Sequence, residues 1–441
     1  MSCELPSLQH HPHGESSGST FDYLERRSCL PDPRPPRRWE SSSRGLGAAV
    51  SRRLPYLLRE RPLDIGKTDK VFASDWITEE DVVVGTKCNK LFVVNTENGS
   101  TVDIPRLQPE GSSNSTSSCG IHTISVSSER QYLAAGGADP THLAVYGLPE
   151  MQPLAIGEGH TDWLFDMQWI TDTLLITGAR DSKMALWSVG SLESAPPPRE
   201  RGGEVTRSGP MAEDVQKLEP IVKFSNLAGS SRSSPSHCER VRSLAYNRQK
   251  YTLASLQTNA CGAIVHFWDL FSFIQTVEVE MPFCAENVCI EFDEESGHMY
   301  GVGSRSHVTF LDDRVPASTV GSLKSLDPDC GIRSLKFHHN LLSIGTGAGH
   351  VYFYDMRTRH YLSGGSGTSG SSGQQKPAAL SLTATGGWLR RDETYRSFFS
   401  GMPEPLNAIY THCYSPARTK LFTAGGPLPL GLHGNYAGVW V

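Results

Sequence analysis

Six cationic residues could hold an anion if the chain gathers them: Lys70, Lys87, Arg180, Arg242, Arg305 and Arg333. They are far apart in sequence, yet each falls at a comparable point of a repeating pattern. Lys70, Arg242 and Arg333 stand at the head of a β-rich run, and Lys87, Arg180 and Arg305 in a small-residue turn between two later runs. Guanidinium forks suit carboxylates, and cations gathered in a funnel with low-dielectric walls focus potential. The chemistry on offer is recognition of a negative group, such as a terminal carboxylate beside acidic side chains. The plain alternative is that each cation pairs with a nearby acid, as exposed charges do for small gain. A nucleic acid fits less well. The chain carries 41 Lys and Arg against 47 Asp and Glu, a net charge of −6, and aromatic residues interleave sparsely with the cations.

Catalysis is not signalled. There is no G-x-x-x-x-G-K-[ST], no G-x-S-x-G and no H-E-x-x-H. Acidic runs such as Asp293-Glu294-Glu295 read as solvated turns. The expectation is a non-catalytic protein with no cofactor and no bound metal. Ten cysteines without a C-x-x-C pair favour reduced thiols over a disulfide framework. No run of about 18 apolar residues exists, so no membrane partner is expected.

The elements that must position the cations come from a repeat that starts near residue 70. Six times a β-rich run ends in a small-residue turn centred on glycine, at Gly85, Gly136, Gly178, Gly303, Gly345 and Gly425, and another strand follows. A seventh pair, 253–256 with 263–268, keeps the strands and loses the glycine. Each pair is preceded by one more short apolar strand. Seven such units predict an all-β fold, a seven-bladed WD-repeat β-propeller. One repeat carries the signature in full: His160, Thr177, Asp181 and Trp187, which in WD repeats form a buried hydrogen-bonded tetrad. His160 and Asp181 are therefore read as structural rather than catalytic. The chain ends at Val441 after the third strand of the last blade. The missing fourth strand is expected from residues 60–69, which would remove the open edge.

Around the ring, residues 1–43 read as a disordered tail rich in His, Ser, Pro and Arg. His10, His11 and His13 are solvated in this reading, and Arg34, Arg37 and Arg38 make a weak nuclear signal at most. Residues 44–66 form an N-terminal helical segment, followed by the propeller at 67–441. Leu46, Ala49, Val50, Leu54, Leu57 and Leu58 recur at helical spacing, with Pro55 expected to kink or divide the helix. That helix either packs on its own domain or is offered to a partner. Two insertions, 190–237 and 361–377, read as flexible. The aromatic-rich stretch 386–410 should pack onto the propeller. Two strands end in Asp-x-Arg, at Asp312-Asp313-Arg314 and Asp355-Met356-Arg357, in matching register on consecutive blades. The repetition points to a partner surface.

These features come together in a resemblance. The stretches KVFASDW (70–76), VGTKCNKLFVV (84–94), SRSHVTFLDDR (304–314), GIRSLKFHH (331–339) and YTHCYSPARTKLFTAGGPLPLGLHGNYAGVW (410–440) resemble the DDB- and cullin-4-associated factor 12 family of WD-repeat proteins. The likeness spans roughly residues 44–441. It implies the substrate receptor of a cullin-4 RING ubiquitin ligase, docked on damage-specific DNA-binding protein 1, which links it to cullin-4 and a RING subunit. The family's W-D-x-R docking feature maps onto Asp312, Arg314, Asp355 and Arg357, with Leu311 and Tyr354 in place of the tryptophan; Leu54, Leu57 and Leu58 would dock alongside. The family's link to substrates ending in two glutamates implies a degron pocket at Lys70, Lys87, Arg180, Arg242 and Arg333. The N-terminal tail and both insertions depart from the family, and its strongly basic N-terminal signal is absent. Cytoplasmic residence is expected, with nuclear or centrosomal residence open. The competing expectation is a WD-repeat scaffold outside any ligase that binds acidic protein segments.

Overall fold

The computed structural model describes residues 37–107, 120–190, 215–225, 240–260, 262–315, 318–364, 378–401 and 403–441. Most of the tail, with His10, His11, His13 and Arg34, lies outside the described residues, as do 191–214 and 226–239 of the first insertion and 365–377 of the second. The chain divides into two compact units, Met1–Ser51 and Arg52–Val441.

The second unit is a seven-bladed β-propeller. Its blades run at 71–103, 124–157, 164–224, 240–280, 289–324, 332–383 and 407–440, numbered 1 to 7 here, each built on antiparallel strands of which the first is innermost. Blade 7 is closed by Glu60–Pro62, which pairs with Gly434–Trp440 and sets Glu60 opposite Trp440. The Tyr436 hydroxyl donates to Glu60 Oε1 at 2.6 Å, and Trp440 Nε1 donates to Thr423 Oγ1 at 2.8 Å. The strand that precedes blade 1 and the last strand of the propeller are thereby fastened in one sheet, which closes the ring of blades.

Among the described residues the core falls into seven apolar clusters, one between each neighbouring pair of blades. Each blade packs on both faces, so middle strands are apolar without alternation: Val82, Val83 and Val84 are all buried. Outermost strands face solvent on one side and alternate, as in Ile274–Glu280.

The repeated glycines lie inside second strands rather than in turns, and four of them serve the packing of neighbouring blades. At Gly85, Gly178, Gly303 and Gly345 a side chain would strike residues that lead into or belong to the next blade, whereas at Gly425 it would strike Ala408 of its own blade and at Gly136 it would meet only ordinary contacts. A Cβ on Gly85 would sit 2.6 Å from Ile121 Cγ2, one on Gly178 2.5 Å from Val241 Cγ1, and one on Gly303 2.8 Å from Ile332 Cγ2. Each contacted aliphatic residue directly precedes His122, Arg242 or Arg333. The glycine thus lets the next inner strand approach closely at the point from which a channel-lining side chain emerges.

Four expectations are corrected. The first insertion is not wholly irregular: Val222–Phe224 is the outer strand of blade 3, and Gln216–Leu218 adds a parallel fifth strand to blade 2. In the second, Tyr361 belongs to the outer strand His360–Tyr361 of blade 6. The helix runs undivided over Arg37–Leu57, because Pro55 lies in its last turn, where few backbone bonds remain to be broken. The stretch 386–410 packs only in part. Trp388–Leu389 pairs with blade 7, while the short helix Glu393–Phe398, capped by Asp392, buries none of its residues. No helix among the described residues is long and apolar enough to cross a membrane.

Candidate functional site

One local device builds the site. Five inner strands carry a β-bulge near their first residues, between Val71 and Ala73, Leu164 and Asp166, Val241 and Ser243, Ile332 and Ser334, and Ile409 and Thr411. The extra residues are Phe72, Phe165, Arg242, Arg333 and Tyr410, and all five line one cavity of about 880 Å³ that runs from the channel mouth inward. A bulge leaves one residue unpaired and re-aims its side chain. Here it turns a strand residue towards the axis. His122, just ahead of the blade 2 strand, lines the same cavity.

The lining residues fall into two arcs. Blades 7, 1, 2 and 3 give Tyr410, Phe72, His122 and Phe165. The Phe72 ring stacks on His122 with centroids 4.9 Å apart and meets Tyr410 edge-on at 5.4 Å. His122 meets Phe165 edge-on at 5.1 Å. Blades 4 and 6 give the guanidinium groups. Arg242 lies over Phe165, its Cζ 4.2 Å from the ring centroid, which joins the two arcs by a cation–π contact. Arg333 is fixed by Glu286, Nη2 to Oε2 at 2.6 Å, and donates to the Cys330 carbonyl at 3.1 Å. Its buried Nε has no partner among the described residues.

Of the six sequence-predicted cations, Lys70, Lys87, Arg242 and Arg333 line the cavity, and Arg180 and Arg305 do not. Arg180 packs over Trp163 at 4.9 Å and lies 3.6 Å from Asp162. Arg305 lies at the cavity's border, its Nε 3.9 Å from Glu286. Lys70 is buried, and its Nζ donates to the Pro429 carbonyl at 2.8 Å. Burial, with Lys87 alongside, pulls the Lys70 pKa down to about 8, against the raising effect of Asp69. Lys87 Nζ lies 3.7 Å from Asp69, which also accepts from His433 at 3.0 Å. Acids stand close to five of the six: Asp69 by Lys70 and Lys87, Asp162 by Arg180, and Glu286 by Arg305 and Arg333, and Asp329 also lines the cavity.

Charge inverts with depth. Below the mouth Asp75, Asp166 and Glu291 line the channel with Lys336 among them. Asp166 accepts from the backbone of Met167 and Leu244 and from the Ser243 hydroxyl, stitching blade 3 to blade 4; Asp75 likewise accepts from Val126 of blade 2. Burial pushes both carboxyls above the ordinary range. Lys336 Nζ lies 2.9 Å from both Glu291 oxygens. Burial opposes the Lys336 charge, but Glu291 and Asp75 raise its pKa overall. An anionic ligand is thus favoured at the rim and opposed further in.

The tetrad forms in blade 3. His160 Nδ1 lies 3.1 Å from Asp181 Oδ2, its Nε2 2.7 Å from Thr177 Oγ1, and Trp187 Nε1 donates to Thr177 Oγ1 at 2.8 Å. Every ring nitrogen of the group has a partner, which is a structural arrangement.

The Asp-x-Arg strand ends lie at the opposite end of the blades from the bulges. Asp312 accepts from the Arg314 backbone at 2.9 Å and takes the Arg314 guanidinium, Nη2 to Oδ2 at 2.6 Å. Asp355 accepts from the backbones of Arg357 and Thr358, while its other oxygen lies 3.0 Å from Arg52 rather than Arg357. The two boxes thus share their turn but differ in their cation. The three leucines do not share one exposed face. Leu58 is buried in the cluster between blades 6 and 7 and Leu54 packs against it, whereas Leu57 is 69% exposed. Leu54 and Leu58 fasten the helix end to its own domain, because their spacing puts them on its inner side.

Sequence reading missed the aromatic arc, Glu286, Asp69 and Lys336. The signal for the arc was present as aliphatic–large–small triplets: Val71-Phe72-Ala73, Leu164-Phe165-Asp166, Val241-Arg242-Ser243, Ile332-Arg333-Ser334 and Ile409-Tyr410-Thr411. Among the described residues no group of three or more His, Cys, Asp or Glu is placed to hold a metal ion. Residues 54–441 match the family model of the DDB1- and CUL4-associated factor 12 beta propeller.

Proposed function

Because the chain belongs to the DDB1- and CUL4-associated factor 12 family, we propose that it recognises substrates for a cullin-4 RING ubiquitin ligase by holding acidic chain ends, of the Glu-Glu type, at the propeller mouth. One observation carries this reading: four cations from blades 1, 4 and 6 line a single cavity, and the buried Nε of one of them, Arg333, has no partner among the described residues. A tail ending in two glutamates brings three negative charges to that rim. The acidic channel floor keeps the tail from threading deeper, so the chain end stays at the surface with the substrate body outside. Selectivity comes from groups left unpaired when the tail is not acidic.

The other end of the propeller would face the adaptor. Arg314, Arg357 and Leu57 are exposed there or on the helix end, and Asp312 and Asp355 hold the turns that present the two arginines. Ubiquitin chemistry is left to the partner subunits. The test is fluorescence anisotropy of a Glu-Glu-ended peptide on the full chain and on Arg242→Ala and Arg333→Ala. Losing a desolvated charge partner costs about 2–5 kcal/mol, so each variant should bind at least about 30-fold more weakly. Unchanged affinity in both rejects the site.

A further inference from the structure

The cavity, acidic floor included, is larger than an acidic pair fills. At about 880 Å³ it lies near the top of the range of sites that enclose whole small ligands, about 300–1,000 Å³. Cations explain only part of its wall. Phe72, Phe165 and Tyr410 are placed in it by bulges, the same device that places Arg242 and Arg333. Phe165 is buried, but Phe72 and Tyr410 stay partly exposed, and Leu430, 89% exposed, extends the apolar wall from the blade 7 loop. A wall built only to attract charge has no use for this aromatic shelf. Water against aromatic faces is unfavourable, and covering them with an apolar side chain recovers that free energy.

The shelf adjoins the basic groups at two points. Lys70 precedes Phe72 by two residues, and Arg242 rests on Phe165. A tail whose carboxylates engage the cations must lay its next side chain against the aromatic arc. Resting on the acidic-tail reading above, we infer that the site also selects the residue just before the acidic pair, and that it takes a large apolar side chain there, leucine or phenylalanine rather than a charged one or glycine.

The experiment compares peptides of one sequence that differ only in that residue, ending Leu-Glu-Glu, Phe-Glu-Glu, Gly-Glu-Glu and Asp-Glu-Glu, on the full chain. Leucine and phenylalanine should bind about 10-fold more tightly than glycine, and aspartate no better than glycine. Phe72→Ala should erase the leucine–glycine difference; the wild-type series decides by itself if that variant does not fold. Equal affinities across the series overturn the selection while leaving the acidic-tail reading intact. If no Glu-Glu-ended peptide binds, the acidic-tail reading fails and the selection falls with it. A short single-stranded oligonucleotide is added as competitor. Displacement at the leucine peptide's own concentration would assign the shelf to base stacking and overturn the proposal, and absence of displacement supports it.

Discussion

Glu286 is the acid that two guanidinium groups share, with Oε2 2.6 Å from Arg333 and Oε1 3.9 Å from Arg305. An incoming carboxylate has to use Arg333 beside a resident charge of its own sign. Two unit charges 4 Å apart interact by about 1 kcal/mol in bulk water and about 4 kcal/mol at an effective dielectric of 20. The Glu286 side chain is 42% exposed, and salt at physiological strength screens over about 8 Å, so the lower figure governs. Glu286→Gln should therefore tighten binding of a Glu-Glu-ended peptide by about 1 kcal/mol, roughly five-fold. Loss of the partly exposed ion pair should lower stability by at most about 1 kcal/mol. The assay is peptide anisotropy at low and high salt, with a thermal melt to verify folding. The gain should shrink at high salt. A folded variant that binds equally or more weakly would refute the view that Glu286 competes with the ligand, and with it the rim electrostatics.

Three further outcomes are expected. Lys70 has its pKa lowered to about 8 chiefly by burial; a bound anion favours its charged form and raises that value, so binding takes up a proton. Peptide affinity should then be flat below about pH 7 and fall as pH rises through 8, by up to about ten-fold per unit, and Lys70→Met should flatten the profile. Thr177→Val removes the oxygen met by both Trp187 Nε1 and His160 Nε2. Each orphaned buried group costs about 1–3 kcal/mol, which urea unfolding should register as a lower midpoint. The double reversal Arg314→Asp with Arg357→Asp should abolish capture of the DDB1 adaptor while Glu-Glu peptide affinity stays within about two-fold, since the boxes lie at the far end of the blades; full capture would reject the box assignment.

What sequence disclosed, and what it did not, follows from how each residue is held. The ring was readable because each blade repeats the same packing problem and solves it with the same residue types, down to the glycine that makes room for Val241 or Ile332. The tetrad was readable because its members are close in the chain and chemically distinctive. The closing strand could be placed only to within a few residues, since three residues, Glu60–Pro62, carry too little pattern to locate themselves. Glu286 and Asp69 were not readable as partners, because an acid in a loop looks the same whether it faces solvent or a guanidinium.

The division among the six cations shows which signal carries information. Three were chosen from the heads of inner strands, Lys70, Arg242 and Arg333, and all three line the cavity; three came from turns, and only Lys87 does. A turn between two outer strands can lean along the rim, as Arg180 does toward Asp162 and Trp163. A bulge cannot: strand pairing resumes one residue later, so the extra side chain is turned out of the ladder into the channel whatever its chemistry. That is why phenylalanine, tyrosine and arginine occupy equivalent places in blades 1, 3, 4, 6 and 7. Reading for charge alone finds half of such a site, and reading for the aliphatic–large–small triplet finds all five positions. Backbone register fixes the place and the fold is indifferent to the occupant, so exchanging Phe72 or Arg242 for another large residue should alter what the mouth accepts while leaving the blades as they are.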